Sequence, residues 1–236
     1  MRIDVLTLFP AMFGQVLTAS ILARATERGF VTYHVHNIRD WAHSKHGKVD
    51  DRPFGGGPGM VMMCQPLHDA VMAIEAQDGR AATRILLTPQ GERLGQARVE
   101  RLAESPRLLL IAGHYEGVDE RVIQELEPLE LSVGDYVLSG GEIPAMLLID
   151  TVVRLIPGVL GHKDSTAEDS FAAREPQGRR LLEGPHYTRP QVWKGRRAPE
   201  VLLAGDHQAV NEWRKSMMIE RTRQRRPDLL NQGLAT

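Results

Sequence analysis

Short apolar runs alternate with amphipathic stretches through the first two-thirds of this 236-residue chain. Five of the runs have the length and branched side chains of buried strands: RIDVLTLF, VTYHVHNI, TRILLT, RLLLIAG and LELSV. Between them, apolar residues recur every three or four positions, which predicts helices over residues 10–26, 65–76, 96–104, 119–126 and 142–155. Strands and helices that alternate in this way predict an α/β fold, with a mostly parallel sheet covered by helices.

The alternating pattern stops near Gly158. A polar, charged segment follows, GHKDSTAEDSFAAREPQGRR, and segments of this length without periodicity are usually functional or disordered. A loop with the sequence PHYTRPQVWKGRRAP then precedes helices predicted around 206–224 and 227–230. We therefore expect an α/β domain over 1–160, an interdomain linker over 161–180 and a small helical domain over 181–236.

Charge is divided unevenly between these parts. The whole chain has a net charge of −1, but from Arg174 to the end 13 lysines and arginines stand against 7 acids. A basic C-terminal third favours a nucleic-acid partner, because Lys and Arg gain affinity by releasing counterions from phosphates. A solvated helical face explains the charge alone equally well.

Composition argues against a membrane protein and against a metal site. Apolar runs such as AMLLIDTVV are far shorter than the roughly 20 residues that span a bilayer, and the N-terminal strand pattern has no signal-peptide cleavage region. We therefore expect a cytoplasmic protein. The single cysteine, Cys64, allows no internal disulfide and no cysteine-based zinc site. The nine histidines lack a His-Glu-x-x-His spacing, and we predict no bound metal.

Glycine is concentrated in DRPFGGGPGM, residues 51–60. Because glycine lets a ligand approach the main chain closely, a nucleotide loop is the first candidate. Neither common form fits, since no Gly-Lys-Ser/Thr follows the glycines and no Gly-x-Gly-x-x-Gly opens a helix after a strand. Without that lysine, and without an obvious acidic magnesium cluster, a kinase or nucleotide hydrolase is disfavoured.

Three successive predicted strands end in glycine-rich polar loops. PQGERLG follows TRILLT, HYEGVDER follows RLLLIAG, and GDYVLSGGE follows LELSV. Ligands of open parallel sheets bind at the carboxyl ends of the strands, so we expect one crevice built largely of backbone. Such a crevice suits a flat ring with a flexible chain, and it lacks the lysine that a triphosphate requires.

Five motifs carry a resemblance to a known family. VDDRPFGGGPGMVM, AGHYEGVDERV, SVGDYVLSGGE, DSF and PHYTRP stand in the same order, at similar separations, as in the bacterial tRNA (guanine-N(1)-)-methyltransferases. Those enzymes methylate the guanine 3′ of the anticodon, at tRNA position 37. The similarity extends from LTLFPAMF to RTRQRRPDLL, nearly the whole chain.

The resemblance implies a fold, an assembly and a partner. It implies the SPOUT class of methyltransferases: a mostly parallel α/β domain whose C-terminal part forms a trefoil knot, and a small all-helical C-terminal domain. It also implies an obligate homodimer with the active site at the subunit interface, and tRNA as the partner of the basic third. Magnesium is allowed as an aid with tRNA, although no motif locates it. True knots are so rare that physical reasoning alone gives an unknotted sheet.

The family's methyl donor is S-adenosyl-L-methionine, and the resemblance places it on the three strand-end loops. Carried over by position, the donor-binding residues are Thr88, Pro89, Gly113, His114, Tyr115, Glu116, Val133, Gly134, Asp135, Tyr136, Val137, Leu138, Gly140, Gly141 and Pro144. Backbone groups of these loops would hold the adenine. The alternative is that these residues form ordinary strand-end turns.

The resemblance assigns catalytic roles to two side chains, Asp169 and Arg154. Guanine N1 carries a proton at neutral pH, and the resemblance points to Asp169 as the base that removes it. The spacing Ser165-x-x-Glu168 predicts a capping box at a helix start, which leaves Asp169 without a predicted structural task. Arg154 matches the family residue that stabilises negative charge on guanine O6; the alternative is a helix ion pair with Asp150. In the family, the linker of one subunit completes the site of the other.

The glycine-rich loop then has a hypothetical role. DRPFGGGPGM would line the target-base side of the cleft, where glycine lets the guanine and its 5′ neighbour approach the backbone. On this hypothesis, valine at Gly57 or Gly59 weakens methylation and leaves donor affinity nearly intact.

The C-terminal third mixes cations with aromatic rings, as recognition of loop RNA requires. The candidate contacts are His186, Tyr187, Arg189, Trp193, Lys194, Arg196 and Arg197, and then Arg214, Lys215, Arg221, Arg223, Arg225 and Arg226 on the following helix. Tyr187 could pack the domain instead, and the stretch 173–180 is longer than in the family, which leaves the linker geometry open.

Two other functions compete with this interpretation. One is a SPOUT enzyme that acts on another RNA, and the other is an RNA-binding protein with an inactive methyltransferase domain. The second predicts a degenerate donor loop or a lost acid, and the sequence has neither.

Overall fold

The computed structural model describes residues 1–161, 169–174 and 178–231. Its strands are β1 (Arg2–Thr7), β2 (Thr32–Asn37), β3 (Asp50–Asp51), β4 (Val61–Met62), β5 (Thr83–Arg93), β6 (Arg107–Ala112), β7 (Leu129–Ser132), β8 (Val192–Trp193) and β9 (Arg196–Arg197). Its α-helices are α1 (Gly14–Leu17), α2 (Ser20–Glu27), α3 (Cys64–Glu75), α4 (Gln96–Ala103), α5 (Glu120–Leu126), α6 (Glu142–Val153), α7 (His207–Arg225) and α8 (Pro227–Asn231). The chain divides into two compact units, Met1–Gly161 and His162–Thr236.

The first unit is built on a five-stranded sheet with the order β2-β1-β6-β5-β7. Every neighbouring pair in it is parallel. The predicted α/β fold with a mostly parallel sheet is therefore confirmed, and each predicted strand is present. β1 and β6 are buried along their whole length. β6 accordingly forms a continuous apolar run after Arg107, whereas β1 also carries the buried polar residues Arg2, Asp4 and Thr7.

Each face of the sheet is covered by its own set of helices. Along β6, Leu108 and Leu110 pack into one apolar cluster with side chains of α1, α2, α4 and α6. Leu109 and Ile111, which point to the opposite face, pack into a second cluster with α3 and α5. The sheet is thus the middle of three layers. Because the helices cover its two faces, the ends of its strands remain available for ligand sites.

The helix predicted over 10–26 is wrong as a single element. The structure has a 3₁₀ helix at Pro10–Met12, then α1, then α2. Ala19 is extended, with φ −115° and ψ 148°, so the helical hydrogen-bond ladder cannot pass from α1 to α2. The other predicted helices of this unit match α3, α4, α5 and α6 to within two residues at each end.

Two short antiparallel hairpins were not predicted. β3 pairs with β4 across the glycine-rich loop, and β8 pairs with β9 inside the segment that we expected to be a loop. The second hairpin turns at Lys194 and Gly195, which have φ values of 48° and 76°, the sign that a two-residue hairpin turn of type I′ requires. The expectation of an all-helical C-terminal domain is corrected here, because the second unit also contains this hairpin.

α7 organises the described part of the second unit. Asp206 caps its start, and its side chain accepts hydrogen bonds from the amides of Gln208 and Ala209 at 3.0 and 3.1 Å. Thr222, fully buried on α7, accepts a hydrogen bond from the Leu182 amide at 2.9 Å. None of the helices described, in this unit or the first, is long and apolar enough to cross a bilayer.

A buried charge network fixes the amino edge of the sheet. The carboxylate of Asp4, fully buried on β1, accepts hydrogen bonds from Arg2 at 2.7 Å and from the equally buried Arg107 at 3.0 Å. His36 Nε2 lies 2.9 Å from the same carboxylate. Arg107 also donates to the carbonyl of Ile74 near the end of α3, so the network ties helix to sheet. Burial alone would raise the pKa of Asp4, but the hydrogen bonds from His36, Arg2 and Arg107 outweigh it and hold that pKa well below its usual range.

We predict that Asp4→Asn lowers the free energy of unfolding at pH 7 by about 3–5 kcal/mol, because Arg107 keeps its buried charge and loses its counterion. The carboxylate's pKa is lowered by folding, so its contribution is complete above the unfolded pKa of about 4 and is lost as pH falls below it. Urea unfolding should therefore show a difference in stability between wild type and variant at pH 7, and this difference should narrow as the pH falls below about 4. The exposed control Asp40→Asn should match wild type, and an Asp4→Asn protein of wild-type stability would contradict this account.

Candidate active site

A pocket of about 300 Å³ lies at the carboxyl ends of β5, β6 and β7. Its wall consists of the three strand-end segments together with a few helical residues: 86–90, 113–118, 130–134, 136–141, Glu120, Ile123 and Pro144. The crevice expected at this edge is therefore present. A concave site at the carboxyl edge of a parallel sheet is where the ligands of such folds bind.

The first of the three segments differs from the loop that we predicted after TRILLT. β5 continues to Arg93, and both Leu87 and Glu92 pair with Leu131 of β7, so the residues between them leave the ladder and form a wall of the pocket. Gly91 lies in this bulge against the backbone of Glu130. A Cβ there would overlap that backbone, so the bulge depends on glycine.

The second and third segments are joined directly by their backbones. The Gly141 amide donates a hydrogen bond to the Gly113 carbonyl at 2.7 Å, and His114 forms a bridge with Gly140. A Cβ on Gly141 would lie 2.7 Å from Ala112 Cα, closer than real Cβ contacts, so only glycine allows this approach.

All of the residues that the resemblance assigns to the donor line this pocket, except Asp135. The side chain of Asp135 is 87% exposed, and its carboxylate lies 3.9 Å from Arg93 Nη1. The reason is a tight turn, in which the Tyr136 amide donates to the Gly134 carbonyl and leaves Asp135 at the outer corner.

Sequence reasoning missed several residues of the wall. Leu86, Leu87, Glu130, Leu131 and Ser132 belong to the predicted strands, and the pleat of a strand could have identified some of them. Gln90 and Ser139 lie inside the predicted loops but were not assigned to the donor. Gly117, Val118 and Glu120 lie inside the predicted loop HYEGVDER but were not assigned to the donor. Ile123 comes from α5, and no local signal in the sequence assigns a helix face to this pocket.

The charged side chains of the described wall are acidic, and its one histidine is His114. Glu116, Glu120 and Glu130 line the pocket, and neither lysine nor arginine is among the described residues of its wall. Carboxylates attract a cationic ligand and repel a polyphosphate. Tyr115 has a φ of 62°, a conformation that costs a non-glycine residue energy and that is concentrated at functional sites.

The glycine-rich loop is tied to the second pocket segment. The Glu116 amide donates to the Met60 carbonyl and the Met62 amide donates to the Gly117 carbonyl, both at 2.9 Å. Gly59 packs so closely on Glu116 that a Cβ would overlap the carboxylate. At the other end of the loop, Phe54 is 95% exposed.

The two predicted catalytic residues lie in different units. Arg154 follows α6 directly, is half-buried and donates its amide to the Asp150 carbonyl at 3.3 Å. Asp169 begins the described part of the second unit, and its carbonyl accepts a hydrogen bond from the Ala172 amide at 3.0 Å. The predicted capping box, Ser165 to Glu168, lies outside the described residues.

The predicted RNA contacts of the second unit are mostly exposed. All of those between His186 and Arg197 are exposed, and the Lys194 ammonium lies 5.1 Å from the centre of the Trp193 ring. Tyr187 is 50% exposed and also contacts the Trp213 ring, so packing accounts for half of its surface. Arg221 is half-buried and donates to the Gly184 carbonyl at 3.2 Å, which gives it a structural task.

The part of the chain that the structure describes contains no group of three or more His, Cys, Asp or Glu side chains that could hold a metal ion. The magnesium that the resemblance allows therefore gains no support from these residues.

Comparison with known proteins gives the family. The family model described as tRNA (Guanine-1)-methyltransferase TrmD matches residues 1–232. The chain belongs to this family. A tRNA (guanine-N(1)-)-methyltransferase of Halorhodospira halophila is 54% identical over 229 residues, which are 97% of this chain and 84% of the relative. Relatives with the same description in Chloroflexus aggregans and Bacillus subtilis are each 51% identical, over 100% and 98% of this chain and 89% and 92% of their own lengths.

From the sequence we expected valine at Gly57 and valine at Gly59 to have the same effect, but the two glycines have different surroundings in the structure. Gly57 and Gly59 both have positive φ, 123° and 77°, but a Cβ on Gly57 meets nothing within 4 Å, whereas one on Gly59 overlaps Glu116 of the pocket. We predict that Gly57→Val leaves affinity for S-adenosyl-L-methionine within about twofold of wild type, while Gly59→Val weakens it by about tenfold or more. Isothermal titration calorimetry without tRNA measures both. Equal affinities in the two variants would contradict the coupling of loop and pocket.

Proposed function

We propose that this protein transfers a methyl group from S-adenosyl-L-methionine to N1 of the guanine at position 37 of tRNA. The observation that carries the proposal is the pocket at the carboxyl edge of the sheet, with its acidic, glycine-rich wall, in a chain of this family. Because tRNA is the substrate, the proposed place of action is the cytoplasm.

The wall of the pocket fits the donor chemically. S-adenosyl-L-methionine, when bound, supplies a methyl group that its sulfonium charge has already activated. Glu116, Glu120 and Glu130 present negative charge to a cationic ligand, and the pocket has a volume at the lower end of the range for ligand sites. Gly113, Gly140 and their neighbours expose backbone amides and carbonyls that can hold a flat ring.

Asp169 is proposed to act as the general base. Guanine N1 keeps its proton at neutral pH, so a group within hydrogen-bond reach must remove that proton as the methyl group arrives, and a carboxylate is sufficient. The proton passes from N1 to a carboxylate oxygen of Asp169. Arg154 is proposed to stabilise the negative charge that then develops on O6, as an oxyanion donor does. Both assignments rest on the resemblance.

The proposed fold of the pocket is the trefoil knot of the SPOUT class. Support comes from the pairing of Leu131 with both Leu87 and Glu92 and from the backbone contact between Gly141 and Gly113.

The proposed assembly is a homodimer in which Asp169 of one chain serves donor bound by the other. Ile143 and Leu147 lie one turn apart on α6 and are 54% and 40% exposed, an apolar face that a second subunit would cover. We further propose that 1–160 binds the donor, that 161–180 carries the base, and that 181–236 binds tRNA through its basic and aromatic hairpin.

Asp169→Asn is predicted to reduce methyl transfer by about 10²–10⁴-fold and to leave donor affinity unchanged, because the amide keeps the shape and loses the basic oxygen. Single-turnover transfer of label from S-adenosyl-L-methionine to an unmodified tRNA transcript measures the rate. The exposed control Asp40→Asn should react at the wild-type rate.

The same assay tests the target. A transcript with adenine in place of guanine 37 should take up no label. Full activity of Asp169→Asn would contradict its role as the base, and label in the altered transcript would show that the methylated position is another one.

A further inference from the structure

One polar atom in the wall of the pocket is buried without a partner. Nδ1 of His114 has no hydrogen-bond partner among the described residues, although it is shielded from solvent. The nearest acid oxygen, Oε2 of Glu142, is 3.7 Å away, which is too long for a hydrogen bond. Buried polar groups of native proteins are nearly always paired, so an unpaired one next to a ligand pocket needs an explanation.

Glu142 is itself a buried acid without a role in the proposed reaction. Glu142 is 3% exposed and is the first residue of α6, where the helix dipole favours negative charge. Its other oxygen, Oε1, accepts a hydrogen bond from Thr7 Oγ1 at 2.8 Å, and Thr7 in turn accepts one from the Phe9 amide at 2.9 Å. The carboxylate is therefore anchored from the end of β1, with one oxygen left beside His114.

The imidazole ring is confined on several sides. Its centre lies 4.9 Å from that of the Phe9 ring and 5.1 Å from that of the Tyr115 ring. A Cβ on Gly140 would overlap both the imidazole and the Glu142 carboxylate. Because the ring has little room to rotate, a small shift of the loops is the movement that can change the distance between Nδ1 and Oε2.

We propose that Glu142, anchored by Thr7, is a positioning residue that keeps the proton of His114 on Nδ1, and that closure of the pocket around its ligand shortens the Nδ1 to Oε2 gap to a hydrogen bond. In this tautomer Nε2 carries no proton and can accept a hydrogen bond from the ligand. The ligand class is then a cation with amino or hydroxyl donors. This inference rests on the proposed function, since S-adenosyl-L-methionine carries both groups.

His114 and Glu142 come from different parts of the chain that meet at the pocket, so a hydrogen bond between them would affect more than one loop. His114 belongs to the segment after β6 and Glu142 directly follows the segment after β7, the two segments that Gly113 and Gly141 join by backbone. A hydrogen bond between these side chains would add a second link across the same junction. Ligand binding and loop closure would then stabilise each other.

The first test uses the free protein and needs no ligand. ¹⁵N correlation spectra of the imidazole nitrogens at fixed pH report which nitrogen carries the proton, and His114→Asn assigns the signal. Wild type should show the Nδ1–H tautomer, and Glu142→Gln should shift the ring toward Nε2–H, since the glutamine keeps the size of the side chain and loses its charge. An unchanged tautomer in Glu142→Gln would overturn the proposal.

The second test measures binding of S-adenosyl-L-methionine by calorimetry, with the melting temperature as a check on folding. Glu142→Gln should weaken binding by about tenfold in the wild-type background and by less than about twofold in a His114→Ala background, with the melting temperature little changed. Equal losses in both backgrounds would overturn the proposal. Absence of binding by wild type, with the tautomer shift retained, would contradict the proposed donor and still support the role of Glu142.

Discussion

The hydrogen bond from the Gly141 amide to the Gly113 carbonyl is the contact on which the pocket depends. At 2.7 Å it holds two strand-end segments together through main chain, and the space next to it excludes any Cβ at Gly141. Gly91 makes a similar approach to the backbone of Glu130. The glycines at positions 91 and 141 are therefore a packing requirement of segments whose backbones are in contact.

The two edges of the sheet have opposite tasks. At the amino edge, Asp4, Arg2 and Arg107 form a fully paired buried network that joins β1, β6 and the end of α3. At the carboxyl edge, Tyr115 is strained, and Nδ1 of His114 has no hydrogen-bond partner within the described part of the chain. The buried network at the amino edge stabilises the fold and offsets the conformational cost of the strained backbone at the carboxyl edge. Open α/β sheets usually divide stability and function between their two edges in this way.

The sequence allowed the sheet to be predicted because buried parallel strands favour apolar runs, of which β6 is the longest uninterrupted example in the sheet. It allowed the crevice to be predicted because three glycine-rich loops followed three such runs. Contacts between residues distant in the chain could not be predicted. The extension of β5 depends on pairing with Leu131, and Glu142, the acid that lies near His114 Nδ1, opens α6 far along the chain. The break at Ala19 and the turn that exposes Asp135 are backbone conformations that apolar spacing does not encode.

The most direct measurement is hydrogen exchange by mass spectrometry with and without S-adenosyl-L-methionine, in the absence of tRNA. The account predicts slower exchange in three separate segments, 88–91, 113–117 and 133–141, because one ligand would close all of them together. The exposed hairpin 192–197 should exchange at the same rate in both samples. Protection confined to one segment, or found only outside the three, would contradict the claim that they form a single donor pocket.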